Sequence, residues 1–328
     1  MRPRLSRLAR AAMVAAGLAA PATAALHAQG NGEEGALFLL LPIGARSVAV
    51  GGAVVASETG NEAVWWNPAA IATYTNPEVA IHHSQTIVAT GDALTAIFPL
   101  AAAGVLALSA NVLDYGEQDV VLDERGPVGK ILPRNLVFAG TYALALSPRI
   151  RTGITYKLVQ LRVDCTGQCA TVPTTNATTS AVDVGAQLAV GGPRPVWIGA
   201  AVRNVGPRFQ VNDGDQADPL PTRVQVGLRY DVPSVDRVAR DVELSVSGDV
   251  VDAVRRRATA ARLGAELSWQ ERVALRGGYV FDDEEGSGPS LGLGVKAGRL
   301  ELDVARVLDG LSADAGEPPT YLSLRYVF

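Results

Sequence analysis

The chain has 328 residues, 48% hydrophobic and 19% charged, with a formal net charge of −4 and two cysteines. A leader over residues 1–28 carries four arginines and no acids, so its removal leaves 25 basic against 33 acidic residues and a mature charge of −8. No basic stripe for nucleic acid remains, and no later apolar run reaches the roughly 18 residues expected of a transmembrane helix.

In that leader Arg2, Arg4, Arg7 and Arg10 precede the apolar stretch 11–20 and the small-residue pattern Ala22-Thr23-Ala24, with Leu26-His27-Ala28 as a looser alternative. This is the layout of a secretory signal peptide cleaved between residues 24 and 28. As an uncleaved anchor the apolar stretch falls short of about 20 residues.

Residues 29–78 hold the one helical cassette, "NEAVWWNPAAIATY". Asn67 suits an N-cap and Pro68 the first helical position, with Ala69, Ala70 and Ile71 continuing the turn. Upstream, Gly51 and Gly52 permit a bend and a close approach to a neighbouring wall.

From residue 79 onward the hydrophobic period is two. Val224, Val226 and Leu228 interleave with Arg223, Gln225 and Gly227, and 182–190, 196–203, 242–247 and 300–304 alternate in the same way. Fourteen strands are predicted: 79–88, 92–100, 103–112, 135–147, 150–163, 180–190, 195–204, 222–232, 241–251, 258–270, 272–281, 289–297, 298–307 and 320–328. Most are longer than the usual 5 or 6 residues of globular strands and match a tilted membrane crossing of about 9 to 11. Long connections after the third, fifth, seventh, eleventh and thirteenth strands alternate with mostly tight ones, as in outer-membrane barrels. The predicted fold is therefore all-β: a closed antiparallel transmembrane β-barrel of about 14 strands with a short N-terminal helical hatch. Its parts are a signal peptide (1–28), a hatch segment (29–78) and the barrel (79–328). An even strand count puts both termini in the periplasm. Closure is required because unpaired backbone groups in hydrocarbon cost several kcal/mol each.

In this register Val224, Val226 and Leu228 face lipid, and small residues such as Gly153, Gly185, Gly199, Ala201, Gly227, Gly278, Gly292 and Gly294 face inward. They leave room for an inserted segment, which a barrel of this size needs if it is not to leak. Arg203, Arg229, Arg276, Lys296 and Arg325 share the inner face with Asp183, Glu243, Asp249, Glu301 and Asp303 and are expected to form a neutralising lumen network. Tyr230, Trp269, Tyr279, Phe281, Tyr321, Tyr326 and Phe328 lie near strand ends, where rings settle at the lipid boundary. The closing "TYLSLRYVF", with Tyr326 and Phe328, resembles the C-terminal signal read by the barrel assembly machinery.

Cys165 and Cys169, in a predicted outer loop, are expected to form a disulfide in the oxidising periplasm. The acidic clusters Glu117/Asp119/Asp123/Glu124 and Asp282/Asp283/Glu284/Glu285 are solvated loop charges, or sites where divalent cations bridge to lipopolysaccharide. No catalytic site, metal site or cofactor is expected. His27 leaves with the leader, and the adjacent His82 and His83 point to opposite faces of a strand, so they cannot share a metal. A site built on Ser84 and either histidine has no motif behind it.

The segment "GARSVAVGGAVVASETGNEAVWWNPAAIA" followed by a first strand resembles the start of the PorV/PorQ family of FadL-like outer-membrane barrels. "IGAAVRNVGPRF", "LPTRVQVGLRYDV", "LSVSGDVVDA" and "VALRGGYVF" extend the likeness over nearly the whole mature chain. The resemblance implies an inner hatch containing Arg46, Gly51, Gly52, Trp65, Trp66, Asn67, Pro68 and Ala69. It also implies one of two roles: uptake of a hydrophobic small molecule, or membership of a type IX secretion system that binds secreted cargo proteins. In either case the surroundings are outer-membrane lipid and lipopolysaccharide.

Overall fold

The computed structural model describes residues 34–121, 126–167, 176–210, 217–233, 241–254, 258–282, 287–308 and 316–328. The leader 1–28, Cys169, Asp123, Glu124, Asp283, Glu284 and Glu285 lie outside them.

Strong alternation over the last two thirds of the chain gives fifteen strands: β1 (Glu78–Gln85), β2 (Thr90–Pro99), β3 (Val105–Asp114), β4 (Gln118–Val121), β5 (Pro127–Ser147), β6 (Ile150–Gly167), β7 (Asn176–Val190), β8 (Val196–Val205), β9 (Arg223–Asp231), β10 (Val242–Ala253), β11 (Ala258–Trp269), β12 (Val273–Phe281), β13 (Gly288–Ala297), β14 (Leu300–Val307) and β15 (Thr320–Val327). Fourteen form a closed antiparallel barrel, each beside its chain neighbour, with β1 paired to β15 to seal the ring and β3 paired to β5. Every one of the fourteen predicted strands has its counterpart. The exception is β4, which pairs only with β5 and belongs to a flap formed where β5 and β6 run on beyond the barrel. Pro127, Gly129 and Pro133 interrupt the apolar alternation there, so the sequence reads as loop.

Parity decides which side chains face in. On β7, Ala181, Asp183, Gly185, Gln187 and Ala189 are buried while Val184, Ala186, Leu188 and Val190 are exposed. On β9, Gln225 is fully buried between Val224 and Val226. The outer surface is a continuous belt of large exposed apolar groups, among them Ile81, Leu108, Phe138, Leu275 and Leu291. A patch of this extent is foreign to water and suits hydrocarbon. No helix among the described residues is long and apolar enough to cross a membrane, so any crossing is made by the strands.

One aromatic departs from the expected boundary ring. Tyr321 is 4% exposed and packs inward against Ala45, Val48, Ala49 and Ala305. It shares parity with Ser323 and Arg325, so the pleat directs it to the lumen. The exposed pairs Tyr279–Phe281 and Tyr326–Phe328, with ring centroids 4.5 and 4.9 Å apart, do lie on the lipid face near strand ends.

The barrel has a long-loop end and a short-turn end, and β1 begins and β15 finishes at the latter, with Glu78 opposite Val327. The described chain nevertheless begins at the long-loop end. There the Glu34 carboxylate accepts two hydrogen bonds from Arg223, at 2.9 and 3.0 Å, and Gly35 N–H bonds Pro219 O. Glu34 therefore does not share an end with Phe328, as the even strand count alone had suggested. The hatch segment threads the lumen from one mouth to the other.

Candidate functional site

The lumen is occupied by residues 44–76. A short helix, Ala45–Ala49, ends where Gly51 and Gly52 take φ values of 66° and 70°. Gly52 N–H bonds Ser47 O and Gly51 N–H bonds Val48 O, the paired bonds of a glycine-terminated helix. The chain then runs to a second helical turn, Ala63–Trp66, and a 3₁₀ turn, Pro68–Ile71. Asn67 caps the latter, its Oδ1 accepting from Ala69 N–H at 3.0 Å with Pro68 in the first turn.

Wall glycines let this segment lie against the strands. A Cβ on Gly153 would fall 2.5 Å from the Pro68 carbonyl carbon, and one on Gly264 would fall 2.6 Å from Val50 O. On Gly185 it would collide with Asn67, on Gly199 with Val55, on Gly278 with Gly51 and on Gly292 with Ala49. Gly227 and Gly294 instead make room for wall side chains, Asp249 for the first and Asp303 and Arg276 for the second.

A hatch with little regular structure leaves many backbone groups to satisfy, and inward side chains from the wall supply the partners. Asp249 accepts from Val55 N–H at 2.9 Å and from Gln225 at 2.7 Å, while Gln225 also donates to Gly52 O. Gln187 donates to Val55 O and Ser57 O, and Ser290 bridges Ala49 O and Gly51 N–H. Glu62 accepts from Arg46 N–H, from Ser47 N–H and from the Ser323 hydroxyl, and that hydroxyl in turn accepts from Ala45 N–H. His82 lies 2.9 Å from the same hydroxyl. This Glu62–Ser323–His82 group is sealed between hatch and wall, where it anchors the hatch and meets no solvent. His83 faces outward to Asp92, and Ser84 bonds Gly91 O, so Ser84 joins neither histidine.

The charged groups form two clusters. In the first, Arg46 grips Glu266 through two bonds of 3.0 and 2.8 Å; Arg276 joins Glu266 to Asp303, and Arg325 joins Glu301 to Glu78. In the second, Lys157 pairs with Asp183 at 2.6 Å, and Arg203 donates to Trp65 O with its guanidinium 5.2 Å from the Trp66 ring. Arg229 pairs with Asp231 on its own strand. Lys296 lies opposite Glu301 in the β13–β14 register, at the edge of the first cluster, and Glu243 lines the short-turn mouth beside Glu266. Glu62, Glu78, Lys157 and Glu266 were not singled out from the sequence, although Arg262, Gly264 and Glu266 alternate with Leu263, Ala265 and Leu267 on β11. Cys165, near the end of β6, is disulfide-bonded. In the flap Glu117 bonds Lys130 at 2.7 Å and holds that ammonium above its ordinary range.

Empty space lies on both sides of the hatch. At the long-loop end a cleft of about 30 Å³ runs between the strap Phe38–Ile43 and the two tryptophans, with Asn111, Lys157 and Arg203 at its edge. The strap is itself covered, since Ala36 and Leu39 pack on Phe209 and Leu220. At the short-turn end a vestibule of about 250 Å³ is lined by Arg194, Arg229, Glu243, Ser245, Glu266 and Ser268.

Among solved structures, this arrangement is similar to the Ralstonia pickettii toluene transporter TbuX (14% identity, TM-score 0.54, 88% of this chain and 98% of that one). It is also similar to the CymD monoaromatic hydrocarbon channel (11%, 0.57, 88% and 98%) and to a Pseudomonas aeruginosa FadL homologue (10%, 0.53, 88% and 98%). The chain has the FadL-like barrel fold. No protein-family model and no curated protein sequence matches it. At these identities the likeness of FadL-like barrels to this chain is one of fold.

Proposed function

We propose that this FadL-like barrel is a non-enzymatic outer-membrane channel that admits small hydrophobic molecules, exported with a cleaved leader and inserted by the barrel assembly machinery. The carrying observation is the cleft at the long-loop end, which becomes the outer mouth: apolar strap residues Phe38, Leu39 and Ile43 face an indole floor. Most of the residues around the cleft are apolar and Asn111, Lys157 and Arg203 are its convergent polar groups, the residue mix of small-molecule sites, while the surface the closed cleft exposes is slightly more polar than apolar. An engineered cavity that binds benzene measures about 150 Å³, so the cleft of about 30 Å³ is a closed state. Entry requires the strap to move aside. The neighbours with the same fold include toluene transporters and a monoaromatic hydrocarbon channel, which supports a hydrophobic passenger. The secretion-partner reading rests on the PorV/PorQ resemblance and the long loops.

The test is uptake of radiolabelled toluene by cells of a host that lacks its own hydrocarbon channel. Expression of the wild-type chain should raise the initial rate above that of the empty host. A folded, surface-inserted protein that leaves the rate at background refutes the proposal.

A further inference from the structure

The spaces on the short-turn side share walls. The vestibule shares Arg229, Ser245 and Glu266 with a small cavity beneath Val50 and Val54, and shares Arg229 and Asp231 with another of about 120 Å³ beside Arg151 and Trp197. The cleft at the other mouth ends on Trp66. Between the two, the far edge of the Trp66 indole lies against Gly52, close enough that a Cβ there would come within 3.1 Å of the ring. The guanidinium groups of Arg203 and Arg262 lie 5.2 and 5.8 Å from the same ring, and the Trp66 N–H bonds Ile43 O at 2.9 Å. Val50 and Val54 pack with Trp66 in one cluster.

Among the described residues the barrel wall has two register shifts, one between β5 and β6 at Ala145/Ser147, beside their hairpin turn, and one between β7 and β8. All ten residues of β3 are in register with β2 on one side and β5 on the other. The register shift between β7 and β8 at Val182/Val184 is filled, because Asp183 accepts the Asn204 N–H at 2.8 Å and Lys157 closes on both.

We infer that passage runs along the barrel axis through the hatch, with the Trp66 indole as the septum between outer cleft and inner vestibule. The inference rests on the channel reading above and deepens it by naming the route and its door. Swinging the Trp66 indole, with the Arg262 guanidinium that also lies against Gly52, out of that contact opens the way between the two spaces, whereas a lateral exit requires breaking a continuous ladder of backbone bonds in hydrocarbon. A solute on the axial route leaves past Arg229, Glu243 and Glu266 into water, not into the bilayer core.

Conductance across planar bilayers tests the septum without any passenger. The wild-type protein should be silent, Trp66→Ala should give resolvable single-channel steps, and Trp66→Phe, which keeps a ring against Gly52, should be silent again. Trp269→Ala, on the lipid face, controls for the loss of a tryptophan. In a Trp66→Ala/Ser268→Cys protein, attaching a bulky maleimide inside the vestibule should abolish the steps. Folding of each variant is checked by circular dichroism and thermal melting. A folded Trp66→Ala protein as silent as wild type overturns the inference, as do steps that persist after labelling. Toluene uptake separates the two readings: unaltered uptake through labelled Ser268→Cys protein overturns the axial route and leaves the channel standing, whereas no uptake by wild type overturns the channel and leaves conductance to decide the septum.

Discussion

Gly277 and Gly278 are adjacent on β12 and present opposite tests of the same wall. A Cβ on Gly277 points to lipid, where its nearest neighbour is Leu291 Cδ2 at 3.7 Å, an ordinary contact. A Cβ on Gly278 points into the hatch and meets Gly51 N and Cα and the Val50 carbonyl carbon, all backbone. Backbone cannot rotate away as a side chain can, so Gly278→Ala forces the bend at Gly51 to retreat. Overpacking costs about 1 to 3 kcal/mol. The retreat also breaks the 3.2 Å bond from Gly51 N–H to Ser290; that N–H keeps Val48 O, so the loss adds about 0.5 to 1.5 kcal/mol, the net worth of an ordinary hydrogen bond. The sum, about 1.5 to 4.5 kcal/mol, shifts the balance between seated and released hatch by at least about 10-fold. Gly277→Ala should stay within about 0.5 kcal/mol of wild type. Limited trypsin digestion reads the difference, since Arg46 lies in the hatch and is cut only when the segment leaves the wall. Equal cleavage rates after Arg46 in the two alanine variants would refute the close-packing account.

Other substitutions probe separate parts of the reasoning. Val226→Arg puts a charge on the lipid face and should cost about 2 to 4 kcal/mol near the midplane, seen as a fall in the folded fraction after refolding into vesicles. Gln225→Ala should assemble normally but speed cleavage after Arg46, because it removes donors to Gly52 O and Asp249; resistance equal to wild type would show that those bonds contribute little. Glu266→Ala, which strands Arg46, should destabilise by about 2 to 4 kcal/mol in chemical denaturation, and Arg46→Ala by less because Glu266 keeps Arg276; the double variant should cost less than the sum of the two. Deleting Phe328 should slow insertion by the assembly machinery in a pulse-chase experiment while leaving purified, refolded protein equally stable; unchanged kinetics would remove the proposed assembly signal.

The barrel was legible because membrane strands obey a strict rule: every second residue must be apolar, and nothing else in the chain supplies that period. Parity even places residues one by one, as the buried Gln225 between Val224 and Val226 shows. The errors came where parity was set aside. Tyr321 was grouped with boundary aromatics by its position near a strand end, yet its neighbours Ser323 and Arg325 fixed it as inward. Glu266 lay on an equally plain alternation in β11 and was not drawn into the lumen network. Strand β4 and the flap were hidden because a hairpin in water need not carry the apolar alternation.

The hatch was legible only as local turns. Asn67, Pro68, Gly51 and Gly52 announce a cap and a reversal, but their seating depends on wall residues far along the chain. Nothing local in Glu62 reveals that it will meet Ser323, and the threading that brings Glu34 to the long-loop end follows from contacts far along the chain, the Arg223 pair, the Gly35–Pro219 bond and the packing of Leu39 on Phe209 and Leu220. Such tertiary polar contacts have no sequence period to betray them.

Those long-range bonds order events during biogenesis. Ala45 N–H meets the Ser323 hydroxyl across 278 positions of sequence, and Glu62 meets it across 261. The stopper is synthesised first, and the Ser323 part of its seat arrives only with the last strand. A product truncated before β15 would lack both its seam and that part of its stopper's berth, so incomplete copies are left with a loose, protease-sensitive head.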